Sequence, residues 1–376
     1  MRIALVSHTR LYWTELYARH FLGRGHDVRV MSFSREPLDD LPVEYIGNGT
    51  PTRRKLIHYL AGVPQLRSRL RSFAPDVVLA TYLSSNGLAA ALCRTGPLVV
   101  SAHGSDVLAP SGGAWLHARM IRFTCRRADV VHAVSQPLVE ALVRHHIPAG
   151  RIHCFPIGVD PEWFAPRTAG APHEGPARVV CTRHQEAVYG NETVVEALSL
   201  LRSEGIDVRA TLFGGGSQLE QRREHVRALG IADRVELPGH RPQEDVRRAL
   251  QASIIYVSAS TSDGASSSLL EAMACGLFPV VSAIPANRSW IEDGTTGLLF
   301  EPGDARGLAA ALRRAVLETG LRASARARNR ALVLRDGNLD RNLSRMEDLL
   351  SRAAGQRGQD KAAVTRSAIN SNSLDE

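Results

Sequence analysis

Residues 256–282 read YVSASTSDGASSSLLEAMACGLFPVVS, and this stretch decides the fold. It begins as an apolar strand, continues as a polar loop over residues 258–266, and then becomes an apolar helix. Gly276 ends that helix, Pro279 lies just beyond it, and two valines open the next strand. A strand, a loop, a helix and a second strand in this order are typical of a parallel sheet in an α/β protein.

The polar loop and the helix that follows it carry two carboxylates. Asp263 and Glu271 stand eight positions apart, and Gly264 between them lets the backbone approach a ligand closely. Ser266 or Ser267 is placed to cap the helix, whose N-terminus is a potential anion site. Two carboxylates beside an anion site suit a ligand that has a phosphate and many hydroxyl groups.

Two acids at this spacing are common by chance, so the spacing alone is weak evidence. The whole stretch of residues 256–282 is more specific. It resembles the acid-x7-acid motif of the retaining glycosyltransferases of family 4, with Asp263 where that family usually has glutamate. The resemblance covers about residues 1–350. It implies an α/β protein with two Rossmann-like parallel-sheet domains facing each other across a cleft, the GT-B type. It also implies transfer of a sugar from a UDP- or GDP-sugar to an acceptor hydroxyl, with retained anomeric configuration.

Other parts of the chain show the same alternation of strand and helix. Apolar runs of strand length occur at residues 2–7, 28–32, 77–80, 98–101 and 130–134, and segments of helical character separate them. This pattern predicts a parallel sheet covered on both faces, which binds ligands at the carboxyl ends of its strands.

A second stretch, PIGVDPEWFAP at residues 156–166, resembles the signature with which the family ends its first domain. The segment 167–176 after it is rich in proline, glycine and alanine and is typical of a linker. The predicted parts are an N-terminal acceptor-binding domain (1–165), a C-terminal nucleotide-sugar-binding domain (166–340), a terminal helix that in the family packs back on the first domain (341–354), and a disordered tail (355–376).

The loop at His103-Gly104-Ser105-Asp106 follows a predicted strand. One interpretation is a turn that contains a histidine by chance. The family resemblance favours another, in which this histidine touches the donor sugar near the reacting carbon. Asp106 is either a ligand to substrate hydroxyls or a helix cap, and we favour the cap.

Three glycines, residues 214–216, follow the predicted strand 209–213 and allow close approach of a nucleotide, although a bare loop is the alternative.

By resemblance, Arg183 binds the donor diphosphate, while Tyr189 stands where the family has a lysine. The family role of Glu271 is to accept hydrogen bonds from the ribose. The candidate catalytic residues are His103, Arg183 and Asp263, and the candidate donor-binding residues are Glu271, Gly264, Ala265, Ser266, Ser267, Gly214, Gly215 and His240.

The amino-acid composition limits the class of protein to which this sequence can belong. The 376 residues are 44% hydrophobic and 22% charged, which is a globular balance with room for two domains. The longest apolar runs are too short to span a membrane, and the five apolar residues at the N-terminus are too few for a signal peptide. The five cysteines are scattered without metal-site spacing, which predicts reduced thiols in the cytoplasm.

Basic charge is concentrated in the first half of the chain. The net charge is +8, and residues 1–165 hold 19 Lys and Arg against 12 Asp and Glu. In the helical segment 115–127 three arginines share one face and three apolar side chains another. This segment is either an ordinary surface helix or one that lies on an anionic membrane. We hypothesise that the first domain docks on anionic lipid to reach its acceptor.

The expected reaction needs no metal and no other cofactor, because the family usually lacks one and no DxD motif follows a strand here. No nucleophile is evident for a covalent route, so front-face attack assisted by the donor phosphate is favoured.

One alternative to a glycosyltransferase is a nucleotide-sugar epimerase on the same fold. Another is a basic binding protein. Nucleic acid is not expected as a partner, because aromatic residues are only 5% of the chain.

Overall fold

The computed structural model describes residues 1–47, 55–93, 95–108, 113–167 and 175–372. The chain forms two compact units. The first contains Met1–Phe155 and Arg341–Glu376, and the second contains Pro156–Asp340. Most of the predicted linker lies outside the described residues.

The first unit contains a seven-stranded sheet in which every pairing is parallel, in the order β3-β2-β1-β4-β5-β6-β7. Its strands are β1 (Arg2–Val6), β2 (Asp27–Ser32), β3 (Val43–Tyr45), β4 (Val77–Thr81), β5 (Leu98–Ala102), β6 (Val130–Ala133) and β7 (Ile152–Cys154). Its helices up to this point are α1 (Tyr12–Gly23), α2 (Lys55–Phe73), α3 (Asn86–Cys93), α4 (Ser105–Leu108), α5 (Ala114–Arg127) and α6 (Gln136–Arg144). Strands β4 and β5 are buried along their whole length, as continuous apolar runs in a sheet covered on both faces require.

The second unit contains a six-stranded parallel sheet in the order β10-β9-β8-β11-β12-β13. The strands are β8 (Ala177–Cys181), β9 (Val208–Phe213), β10 (Val235–Gly239), β11 (Ile255–Ser258), β12 (Phe278–Ser282) and β13 (Leu298–Phe300). The helices are α7 (Asn191–Ser203), α8 (Leu219–Ala228), α9 (Gln243–Ala252), α10 (Ser267–Ala274), α11 (Pro285–Arg288), α12 (Ala305–Leu317) and α13 (Thr319–Asp336). Both sheets have the Rossmann order, in which the chain direction across the sheet reverses beside the first strand, and both confirm the predicted parallel α/β fold.

Residues 256–282 form most of β11, a loop, α10 and β12, as the sequence predicts. Helix α10 packs its buried Leu269, Leu270 and Met273 into one core of the second unit, together with Tyr256 and Val281. Each such side chain contributes about 1.5–3 kcal/mol when it is fully buried. This packing holds the loop before the helix against the carboxyl end of the sheet.

Residues 156–165 lie in the second unit, whereas the sequence predicts a boundary at residue 165. The reason is local pairing. The Val159 N–H donates to the carbonyl of Gly337 at 2.9 Å, and the Leu339 N–H donates to the carbonyl of Val159 at 3.0 Å. Phe164 is buried in the same core as α10.

The last helix, α14 (Leu339–Asn372), contributes residues 341 onward to the first unit. Glu347 of this helix lies 2.9 Å from Nε2 of His26 and 3.4 Å from Nε2 of His20. The backbone is helical through Asn372, where the sequence predicts a disordered tail from residue 355. Alanine, glutamine and arginine favour helix even without apolar periodicity, and residues 373–376 of the predicted tail lie outside the described residues. Within the described parts of the chain, no helix is both long and apolar enough to cross a bilayer.

Candidate active site

Arg183 and Asp263 form an ion pair at the carboxyl edge of the second sheet. Arg183 follows β8 and Asp263 follows β11, two adjacent strands at the point where the strand order reverses. Nη2 of Arg183 donates to Oδ2 of Asp263 at 2.7 Å, and the two side chains are only 11% and 14% exposed. The sequence predicts both as ligand contacts, and the structure also joins them to each other.

Serine hydroxyls hold the other side of the same guanidinium. Nη1 of Arg183 donates to the hydroxyl of Ser268 at 3.0 Å and lies 3.4 Å from that of Ser266. The hydroxyl of Tyr256 lies 2.9 Å from Ser268 Oγ. Neither Ser268 nor Tyr256 is among the site residues predicted from the sequence. A signal was available, because a tyrosine inside a buried strand needs a partner for its hydroxyl.

The N-terminus of α10 faces this pair. Ser266 is its cap, and its hydroxyl accepts from the N–H of Leu269 at 3.3 Å. Ser267 is the first helical residue, while Gly264 and Ala265 connect Asp263 to the cap, with Gly264 buried. A cationic side chain and a helix N-terminus therefore lie side by side, an arrangement that stabilises anions.

Tyr189, at the position where the family has a lysine, stacks on Arg183. The guanidinium carbon lies 4.3 Å from the centre of the tyrosine ring, a cation–π contact. Gly190 after it has φ of +59°, and a Cβ there would collide with the carbonyl oxygen of Ala259. The tyrosine thus orients Arg183 but adds no positive charge.

Glu271 lies on α10, one turn into the helix, and is partly buried. Burial raises the pKa of its carboxyl from 4.5 to about 7, and this is opposed by the charge of Arg183 and a hydrogen bond from Gln243. The carboxyl therefore titrates near neutral pH, where a modest change in its surroundings alters its charge.

The glycines after β9 have a packing role. Gly214 has φ of +97°, and a Cβ there would lie 2.5 Å from the carbonyl oxygen of Arg183. Gly216 packs as closely on Gln185, whereas a Cβ on Gly215 would meet only His240, at an ordinary 3.6 Å. Gly214 and Gly216 let this loop lie against the backbone that carries Arg183. Their predicted contact with a nucleotide stays a prediction, as does that of Gly215 and the exposed His240.

His103 belongs to the first unit, after β5. Its ring stacks on that of Trp13, with centres 4.7 Å apart and planes 7° apart, and lies 5.3 Å from the ring of Tyr82. Nε2 of His103 lies 3.0 Å from the hydroxyl of Ser101. Trp13 and Tyr82 are not among the residues predicted from the sequence; Trp13 lies in the first turn of α1, and Tyr82 directly follows β4. Tyr82 has φ of +63°, a left-handed backbone that side chains rarely adopt and that sequence alone does not reveal.

Asp106 binds backbone. Its Oδ1 accepts from the N–H groups of His103 at 3.1 Å and Gly104 at 2.9 Å, and its Oδ2 accepts from Leu83 at 2.8 Å. Burial raises the pKa of this carboxyl, and the three backbone hydrogen bonds oppose that rise. Asp106 is the second residue of α4 and its carboxylate binds N–H groups outside that helix, so it has a structural role but is not the predicted cap.

No three His, Cys, Asp or Glu side chains of the described residues come together as a metal-binding group. The expectation of a metal-free reaction stays a prediction.

Comparison with known proteins agrees with this fold. Residues 167–332 match a family model described as glycosyl transferases group 1, and residues 13–163 match one described as glycosyltransferase family 4. The chain belongs to the family-4-like glycosyltransferases, which have the double-Rossmann GT-B fold.

An amylovoran biosynthesis glycosyltransferase of Erwinia amylovora is 30% identical over 50% of this chain and 47% of its own length. A GDP-mannose-dependent phosphatidylinositol monomannoside mannosyltransferase of Mycolicibacterium smegmatis is 25% identical over 77% of this chain and 81% of its own. Anabaena HepE, solved with UDP, superposes with a TM-score of 0.79 at 18% identity over 94% of this chain and 100% of its own. The chain spans about half the length of three curated relatives that it matches, at 47% each.

Proposed function

We propose that this protein is a retaining glycosyltransferase that moves a sugar from a nucleotide sugar to an acceptor hydroxyl in polysaccharide or glycolipid synthesis. The observation that carries the proposal is the Arg183–Asp263 pair beside the N-terminus of α10, at the reversal point of a Rossmann sheet. Ligands of such sheets bind at this edge. The matches to transferases do not favour the epimerase alternative.

The barrier to sugar transfer is the departure of a diphosphate from an anomeric carbon that gains positive charge. A fixed guanidinium and backbone N–H groups stabilise the developing negative charge on the leaving oxygen. We assign this work to Arg183 and to the backbone from Gly264 to Ser267. Arg183 is preorganised for it, because Asp263, Ser268 and the ring of Tyr189 already hold its side chain.

Glu271 and Asp263 bind the remaining parts of the donor, which are the ribose and the transferred sugar. Glu271 accepts hydrogen bonds from the ribose hydroxyls. Asp263 binds hydroxyls of the transferred sugar with the oxygen that Arg183 does not use, so the position of the sugar is tied to that of the arginine. An aspartate is one methylene shorter than the family's glutamate, which favours a different sugar or a shifted sugar position.

The donor nucleotide is UDP or GDP. The mannosyltransferase relative is GDP-mannose-dependent by name, and HepE was solved with UDP. One relative is named for amylovoran biosynthesis and another as a phosphatidylinositol monomannoside mannosyltransferase, and we infer a polysaccharide or glycolipid acceptor for this protein. The reaction proceeds by front-face attack without a metal, so activity persists in excess chelator.

The enzyme works in the cytoplasm, at the inner face of a membrane. Helix α5 buries Met120 and Ile121 against the first unit, while Trp115 is 69% exposed and Arg119 stacks on it at 4.9 Å. An exposed tryptophan beside arginines suits the interface of an anionic bilayer. Co-sedimentation with anionic and with neutral vesicles tests this, and equal binding to both would refute it.

A thermal-shift screen against UDP, GDP and their sugars tests the donor proposal, because a ligand of the native state raises its melting temperature. The nucleotide that stabilises the protein is then used with mixed acceptors, and the anomeric configuration of the product is read by NMR. A product of inverted configuration refutes retention. A protein that no nucleotide stabilises refutes the donor site.

A further inference from the structure

A chain of hydrogen bonds runs behind His103 in the first unit. Nε2 of His132 lies 2.8 Å from the carbonyl oxygen of Phe155, and Nδ1 of the same ring lies 2.7 Å from the hydroxyl of Ser101. That hydroxyl in turn lies 3.0 Å from Nε2 of His103. Ser101 and His132 are fully buried and are register partners on the adjacent strands β5 and β6.

The carbonyl group at one end of this series of hydrogen bonds fixes which atom donates in each of them. A carbonyl oxygen only accepts, so Nε2 of His132 carries a hydrogen. In a neutral ring Nδ1 is then bare and accepts from the hydroxyl of Ser101. The single hydrogen of that hydroxyl is thereby used, so its oxygen accepts from Nε2–H of His103. A neutral His103 is left with a bare Nδ1.

The surroundings keep both rings neutral. Burial lowers the pKa of His132 to about 3, the bond to Phe155 opposes this, and the neighbouring Arg345 and His153 lower it further. Burial, and then His132 itself, lower the pKa of His103 to about 3. Arg345 lies over the Phe155 ring at 4.3 Å, and that ring is 4.2 Å from His132.

We propose that Ser101 and His132 are positioning residues that hold His103 in its Nε2-protonated tautomer, so that Nδ1 is presented to substrate as a hydrogen-bond acceptor. Trp13 fixes the plane of the His103 ring. The hydrogen bonds from His132 through Ser101 to His103, here called the relay, fix which nitrogen of that ring carries the hydrogen. Within the described residues, Nδ1 of His103 has no hydrogen-bond partner. The substrate group that meets it is therefore a donor, a sugar hydroxyl. This last step rests on the proposed function.

The tautomer is read directly from a long-range nitrogen–proton NMR correlation of the imidazoles in the full-length, nitrogen-15-labelled protein without substrate. His103→Gln identifies the His103 signals among the 14 histidines. A bare Nδ1 and a protonated Nε2 near neutral pH support the proposal. A hydrogen on Nδ1, or on both nitrogens, overturns it. This result does not depend on catalysis, so failure of sugar transfer would refute the proposed function alone.

Ser101→Ala removes the relay, and Ser135→Ala is the matched control. Ser135 is buried just after β6, and its hydroxyl makes no hydrogen bond within the described residues. Ser101→Ala is expected to give mixed His103 tautomers and to lower kcat on the order of tenfold to a hundredfold, with a smaller change in KM. Ser101→Thr restores both, and Ser135→Ala changes neither. An unchanged His103 tautomer in folded Ser101→Ala refutes the relay, and the wild-type spectrum decides if that variant does not fold.

Discussion

Arg183 and Asp263 lie 80 residues apart in the chain, yet Nη2 of the one donates to Oδ2 of the other at 2.7 Å. The pair joins the ends of two strands that are neighbours in the sheet, β8 and β11. The other amino group of the Arg183 guanidinium donates to serine hydroxyls at the N-terminus of α10. Under the proposed function, the positioning of Arg183 for catalysis and the local stability of the fold depend on the same contacts.

This double role predicts the outcome of a double-mutant cycle. Arg183→Ala leaves the mostly buried carboxylate of Asp263 without its partner, so it is expected to lower the free energy of unfolding by about 3 kcal/mol and to lower kcat on the order of a hundredfold or more. Arg183→Ala with Asp263→Ala is expected to recover part of the stability and none of the activity. Urea unfolding and donor turnover of the four proteins measure this. Additive losses of stability would show that the pair contributes nothing.

Tyr189 is expected to support Arg183 through its ring. Tyr189→Phe keeps the ring 4.3 Å from the guanidinium and should retain stability and activity. Tyr189→Lys replaces the ring with a second cation. It is expected to lower the melting temperature without ligand and to increase the stabilisation by nucleoside diphosphate, more so at low salt. Thermal shifts with and without nucleotide report both effects. A stable apo Tyr189→Lys protein would show that the stacking is unimportant.

The alternation of strands and helices and the parallel fold were predictable, because apolar runs of strand length end at Gly, Pro and polar turns. The cap at Ser266 and the acids on either side of it follow from local spacing. The hydrogen bonds of Arg183, by contrast, depend on β8 lying beside β11, and strand adjacency is a property of the whole sheet. The relay behind His103 depends in the same way on the register of Ser101 with His132.

The glycines after β9 provide a matched pair of variants. Gly214→Ala forces a side chain into a backbone with φ of +97° and places Cβ 2.5 Å from the Arg183 carbonyl oxygen. It is expected to destabilise the protein by about 2 kcal/mol or more and to lower kcat by displacing Arg183. Gly215→Ala has ordinary contacts, so its stability should match the wild type. If the predicted nucleotide contact is correct, its nucleotide Kd rises. Equal melting temperatures for the two variants would contradict the packing role of Gly214.

Glu271 gives a prediction of pH dependence. The pKa of this carboxyl is raised from 4.5 to about 7 in the folded protein by burial, so the folded state holds its proton more tightly than the unfolded chain. Stability contributed by this group is therefore lost as pH rises between about 4.5 and 7, and ionised Glu271 destabilises the protein above that range. Glu271→Gln should melt at a higher temperature than the wild type near about pH 8, and the difference should vanish towards about pH 4.5.

The same ionisation should strengthen donor binding, because a carboxylate accepts hydrogen bonds from ribose hydroxyls better than a carboxylic acid does. The nucleotide Kd of the wild type is expected to fall as pH rises through about 7, whereas that of Glu271→Gln is weaker and flat over this range. Asp304→Asn, a change of an exposed acid that caps α12, controls for net charge. A pH-dependent Kd that persists in Glu271→Gln would assign the titration to another group and remove Glu271 from the donor site.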